Sequence, residues 1–121
     1  MDYQQQQQQQ QGMQNDQSGV YKRVNKKYLP SFVGQTVLLP CIVNSIQGTM
    51  MQVMSTDKQI VNIILRNPVD IEINTPIEVF GIVNESLNID GINIYQMKGS
   101  MDLAVANTVI EYINGKYSAL F

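Results

Sequence analysis

Apolar residues recur along this chain in short runs broken by turn residues, until a last segment where their spacing lengthens. QTVLLPCIVNSI (35–46) is rich in Val, Ile and Leu and ends at Gln47-Gly48, a turn signal. TMMQVMS (49–55), a Thr56-Asp57-Lys58 turn and QIVNIIL (59–65) follow. Together they predict three successive antiparallel strands with tight connections. PIEVFGIVN (76–84) predicts a fourth strand, opened by Pro76 where a missing N–H is tolerated. Gly81 in its middle predicts a bulge or sharp bend of the kind a closing barrel needs. ESLNIDG reads as a turn ending in Asp90-Gly91, with INIYQM (92–97) as strand five. The link RNPVDIEINT (66–75) carries Pro68 and is too short for a long helix, and RVNKKYLPSFVGQ predicts a turn or short helix limited by Pro30.

Five short strands at this spacing point to a sandwich or a small barrel. Several carry apolar residues on both alternating faces, so they are covered on two sides, which fits a barrel closed by a helix. The expected class is all-β with a terminal helix.

That helix is predicted from about Met101 to Asn114, with Ser100 or Asp102 as N-cap and Gly115 as the stop. Leu103, Ala106, Ile110 and Ile113 fall on one line, which Tyr117 extends if the helix continues. Their 3-4-3-4 spacing is that of a coiled seam. Met101, Val105, Val109 and Tyr112 form a second line. The two lines make an apolar arc of roughly 200°, about twice what one buried face needs. Asn107, Thr108, Glu111 and Asn114 mark the wet side. Either the barrel wraps more of the helix than usual, or one face is left for another chain. The seam spacing favours Leu103, Ala106, Ile110, Ile113 and Tyr117 as the partner interface, with Met101, Val105, Val109 and Tyr112 turned to the barrel.

Composition narrows the function. The chain has 121 residues, enough for one domain. Gln4 to Gln11 is an unbroken glutamine run followed by GMQNDQSG. Ordering such a tract costs chain entropy with no apolar burial to offset it. Residues 1–20 therefore read as a disordered Gln-rich tail, and 21–121 as the folding unit. No segment approaches a membrane span, and the start MDYQQQ lacks the features of a signal peptide. The lone Cys41, inside VLLPCIV, reads as a buried thiol and suits a reducing compartment.

There is no histidine, so the common zinc sites and Ser/His or Cys/His nucleophile systems cannot be assembled from this chain. Gly-rich phosphate loops are absent, and Asp70 and Glu72 read as solvated surface. No catalytic residue, metal ligand or cofactor is expected, nor a small-molecule substrate. Net charge is −2, unevenly spread. Lys22, Arg23, Lys26 and Lys27 outnumber Asp2 and Asp16 at the start, while from Tyr28 onward acids outnumber bases two to one. Residues 33–79 contain no Phe, Tyr or Trp. A single-strand binder uses aromatic platforms and a basic groove, so Lys58, Arg66 and Lys98 are expected to offer weak backbone contacts at most.

The chain resembles the small subunit of replication protein A, the eukaryotic single-stranded-DNA-binding heterotrimer, over roughly residues 23–117. The likeness runs through RVNKKYLPSFVGQTV, with its Phe-x-x-x-x-Val lead into strand one, then IEVFGIV, then MDLAVAN at the start of the helix. It implies an OB-fold barrel whose C-terminal helix bundles with helices of the middle and large subunits. It implies a nuclear subunit supporting DNA replication, repair and recombination, with single-stranded DNA held mainly by the complex. Gly81 matches the family's strand-four glycine, and Asp102-Leu103 its helix-opening pair. Cys41 stands where the family usually has a strand-one glycine, and Ala106 where a helix tyrosine is common. The polyglutamine run is not a family feature. Two other readings are a stand-alone single-stranded nucleic-acid-binding OB module and an OB subunit of a telomere-capping complex.

Overall fold

Alternating buried and exposed positions organise the chain over residues 21–115, which the computed structural model describes. The expectations for residues 1–20 and for Tyr117 fall outside the described residues. A 3₁₀ segment (Lys26–Phe32) leads into five strands and a helix: β1 (Thr36–Gln47), β2 (Met50–Ser55), β3 (Ile60–Ile64), β4 (Pro76–Val83), β5 (Ile89–Gln96) and α1 (Leu103–Asn114). The strands close a barrel in the order β1-β2-β3-β5-β4. Every neighbouring pair is antiparallel except β3 and β5, which meet in parallel at Ile63–Ile89 and Ile64–Asp90.

The inward positions follow a period of two, as strand geometry requires. Val37, Leu39, Cys41 and Val43 of β1, Met51 and Val53 of β2, and Val61 and Ile63 of β3 are buried. Ile77, Val79 and Val83 of β4 and Ile89 of β5 complete the lining, and Val24 and Leu29 join the same core from the 3₁₀ side. The 3₁₀ segment is not limited by Pro30 but runs two residues past it, since the fixed proline φ suits 3₁₀ backbone.

Turn residues set the register. Gln47 pairs with Met50, leaving Gly48-Thr49 as a two-residue loop with Gly48 at φ +60°, the handedness a tight hairpin favours. Pro40 sits within β1 opposite Glu78. Two residues earlier, Leu38 donates its N–H to Lys22 O rather than to β4. The nitrogen of Pro40, on the same side, is therefore not needed by the β4 ladder.

One turn lies elsewhere than expected. Asp90 and Gly91 belong to β5, which begins at Ile89. The connection is Asn84–Asn88, where Asn84 Oδ1 accepts the Ser86 and Asn88 N–H groups, an Asx-type turn that imitates a backbone turn. The irregularity expected at Gly81 falls at the step between Phe80 and Gly81, but the extra residue, Ile92, lies on the facing β5. A Cβ at Gly81 would stand 2.5 Å from the Asp90 carbonyl oxygen, so the two strands approach closely because this residue has none.

Candidate docking helix

The barrel carries α1 on the side of its 3₁₀ segment and β2–β3 turn. Asp102 opens the helix, its carboxylate accepting the Ala104 and Val105 N–H groups at 3.0 and 3.2 Å and satisfying donors that a helix start leaves unpaired. Gly115 ends it, donating its N–H to Glu111 O at 2.8 Å.

Its facing is the reverse of the sequence expectation. Ile110 is fully buried, and Leu103, Ala106 and Ile113 are half-buried beside it. Val105, Val109 and Tyr112 are 61, 50 and 49 % exposed, and Met101 is half-buried just before the helix. The line assigned to a partner thus lies on the barrel, and most of the line assigned to the barrel lies in solvent.

The physical reason is polar. Asn107, Glu111 and Asn114, read as a wet side, are each met by groups of the barrel end. Asn107 Oδ1 accepts from Asn25 Nδ2 at 2.8 Å and from Thr56 Oγ1 at 2.9 Å. Glu111 Oε1 accepts from the Tyr28 hydroxyl at 2.5 Å and lies 3.2 Å from Lys27 Nζ. Asn114 Nδ2 donates to Arg23 O at 2.8 Å. The partners lie 51 to 91 residues away in sequence, so nothing local announces them.

The Tyr28 hydrogen bond, assisted by Lys27, holds the Glu111 carboxyl below its ordinary range. The same hydrogen bond, with burial, raises Tyr28, and the Glu111 bond and charge raise Lys27. These groups form a latch for the last turn of the helix.

The remaining candidates do not converge. Lys58, in the β2–β3 turn, and Arg66, just past β3, stand at opposite ends of that strand, and Lys98 follows β5; all three are exposed. An open groove of about 590 Å³ between the segment after β3 and β5 holds Arg66 but neither lysine. Asp70 also lines it, while Glu72 is exposed nearby. The outward residues of β2 and β3 pair as Met50–Ile64, Gln52–Asn62 and Met54–Ile60, a surface with neither charge nor aromatic ring. Among the described residues no group of three or more His, Cys, Asp or Glu side chains is placed to hold a metal ion. No described helix is long and apolar enough to cross a membrane.

The family model for replication factor A protein 3 matches residues 13–121, which include the barrel and the capped helix. The chain belongs to the replication factor A protein 3 family. Among solved structures, it is similar to a chain of replication protein A from U. maydis bound to single-stranded DNA, with a TM-score of 0.73 and 23% identity over 84% of this chain and 94% of that one. It is also similar in fold to the telomere-capping protein Ten1 of Saccharomyces pombe, with a TM-score of 0.64 and 14% identity over 76% and 95% of the two chains. A chain of the S. pombe Stn1–Ten1 complex gives the same TM-score and identity over 78% and 92%. No curated protein matches by sequence.

Within the replication factor A protein 3 fold, Cys41 lies in a regular stretch of β1. It pairs with Ser55 on one side and Ile77 on the other, and the β1 irregularity falls later, between Val43 and Ser45. Burial, with Glu78 nearby, pushes its thiol pKa up, so it packs as an inert apolar residue.

Proposed function

We propose that this chain is the small, assembly-holding subunit of a replication protein A heterotrimer, bound through α1 to helices of the middle and large subunits. The reading is supported by family membership and carried by one observation. A capped helix, already packed on its own barrel, leaves Val105, Val109 and Tyr112 exposed as a stripe at 4-3 spacing. An amphipathic stripe of this spacing is what a partner helix or groove engages. The complex would act in replication, repair and recombination in the nucleus. Single-stranded DNA is held mainly by the partners, with Lys58, Arg66 and Lys98 as weak contacts. The role includes no catalytic step, cofactor or small-molecule substrate.

The test is co-purification. Val105→Asp with Val109→Asp is expected to abolish capture of the middle and large subunits while circular dichroism and cooperative melting of the chain are retained. Assembly that survives both charges would overturn the reading. Recovery of a telomere-capping partner in place of those subunits would reassign the chain to that kind of complex.

A further inference from the structure

Burial of apolar area alone would turn the middle of the helical arc, around Val109 and Ile113, toward the barrel. The helix is rotated from that setting by roughly a quarter turn. Ile110 is buried while Val109 is half exposed, and half of the barrel-facing sector is polar: Asn107, Glu111 and Asn114. An apolar arc this wide can pack on the barrel in more than one rotational setting, so something other than hydrophobicity decides between them.

The deepest polar contact on this face is at Asn107. Its Oδ1 accepts two hydrogen bonds, from Asn25 Nδ2 and Thr56 Oγ1. Those donors belong to residues only 0 and 2 % exposed. Rotating the helix by a quarter turn would remove the acceptor and leave both donors buried, whereas Glu111 and Lys27 lie near enough to water to find other partners. Leaving a buried donor unpaired costs more than making the bond gains. The cluster therefore penalises the wrong setting more than it strengthens the right one.

We propose that Asn25, Thr56 and Asn107 form a facing selector for α1, with Asn107 as the specificity-determining residue. The cluster directs Ile110 to the barrel and so presents Val105, Val109 and Tyr112 outward. That the presented stripe meets partner helices rests on the function proposed above; the selection of the facing does not.

Thiol labelling of the full chain without partners tests this. Val109→Cys and Ile110→Cys are each made in the natural sequence and in a background carrying Asn25→Leu, Thr56→Val and Asn107→Leu. Maleimide rates are read by mass spectrometry that localises the label, which separates them from the buried Cys41. In the natural background position 109 is expected to label roughly tenfold to a hundredfold faster than position 110, the preference two ordinary hydrogen bonds supply. In the apolar background the ratio should fall to within about threefold with helicity and cooperative melting intact, because replacing all partners by apolar groups is close to neutral. A natural ratio in the apolar background overturns the proposal, since packing alone then sets the facing. Loss of folding there also overturns it, since the cluster would be a stabiliser and not a selector. Failure to bind partners with the facing ratio intact counts against the proposed function alone.

Discussion

Glu111 places a carboxylate in the last turn of α1, where the helix dipole disfavours negative charge. Tyr28 and Lys27 reverse that preference by donating to it from the 3₁₀ segment. A carboxyl held below its ordinary value of 4.5 contributes stability that is present above that value and lost as pH falls through the lowered one. Tyr28, raised above its ordinary 10.0, contributes stability present below that value and lost as pH rises through the raised one. The latch should therefore be intact across the neutral range and weaken at both ends. Thermal melts from about pH 3 to about pH 11 check this, with Glu111→Gln expected to flatten part of the acid limb. The effect is small, because Lys27 and Glu111 are both partly in water. Identical acid limbs for the natural chain and the variant would show that the latch contributes nothing.

At the scale of elements, Asp102 decides where α1 begins. Replacing it by Ala removes two hydrogen bonds to the first turn and should cost about 1 kcal/mol. That loss is measurable as a lower denaturation midpoint with faster amide exchange at Ala104 and Val105. An unchanged midpoint would mean that packing alone anchors the helix start. The cap and the first four strands were legible because their signals are local: alternating apolar residues, Gly48 in a hairpin loop, an acid before a periodic run. The start of β5 was not, since Asp90-Gly91 has turn chemistry but lies in a strand, while Asn84 makes the actual turn with its side chain. The facing of α1 differs from the sequence expectation for a related reason. Asn107, Glu111 and Asn114 look solvated in isolation, and their partners at Asn25, Thr56, Tyr28 and Arg23 come together with them only in the folded chain. A wide apolar arc lets a helix pack on its barrel in more than one setting, and the polar residues beside it choose which side the barrel takes.

For the whole molecule, the distribution of charge argues against an independent grip on DNA. Small barrels of this kind bind single strands across their second and third strands. Here that surface presents Met50, Gln52, Met54, Ile60, Asn62 and Ile64, with no ring to stack on a base. Lys58 and Arg66 lie at its two ends, too far apart in the strand to act as one clamp, and from Tyr28 onward acids outnumber bases two to one. Non-specific affinity grows with the number of phosphates neutralised, so a few separated cations supply little. Fluorescence anisotropy of the purified chain with a labelled thymidine oligonucleotide should give a dissociation constant weaker than about 10⁻⁴ M near physiological salt. Lys58→Ala with Arg66→Ala should change it by less than about twofold. The assembled heterotrimer should bind the same oligonucleotide far more tightly, and the same double substitution in the complex should leave that binding nearly unchanged. Micromolar binding by the lone chain, with a steep salt dependence removed by the double substitution, would make it a DNA-binding module in its own right. The exposed stripe of α1 would then serve to place that module beside others, and not to hold together partners that do the binding.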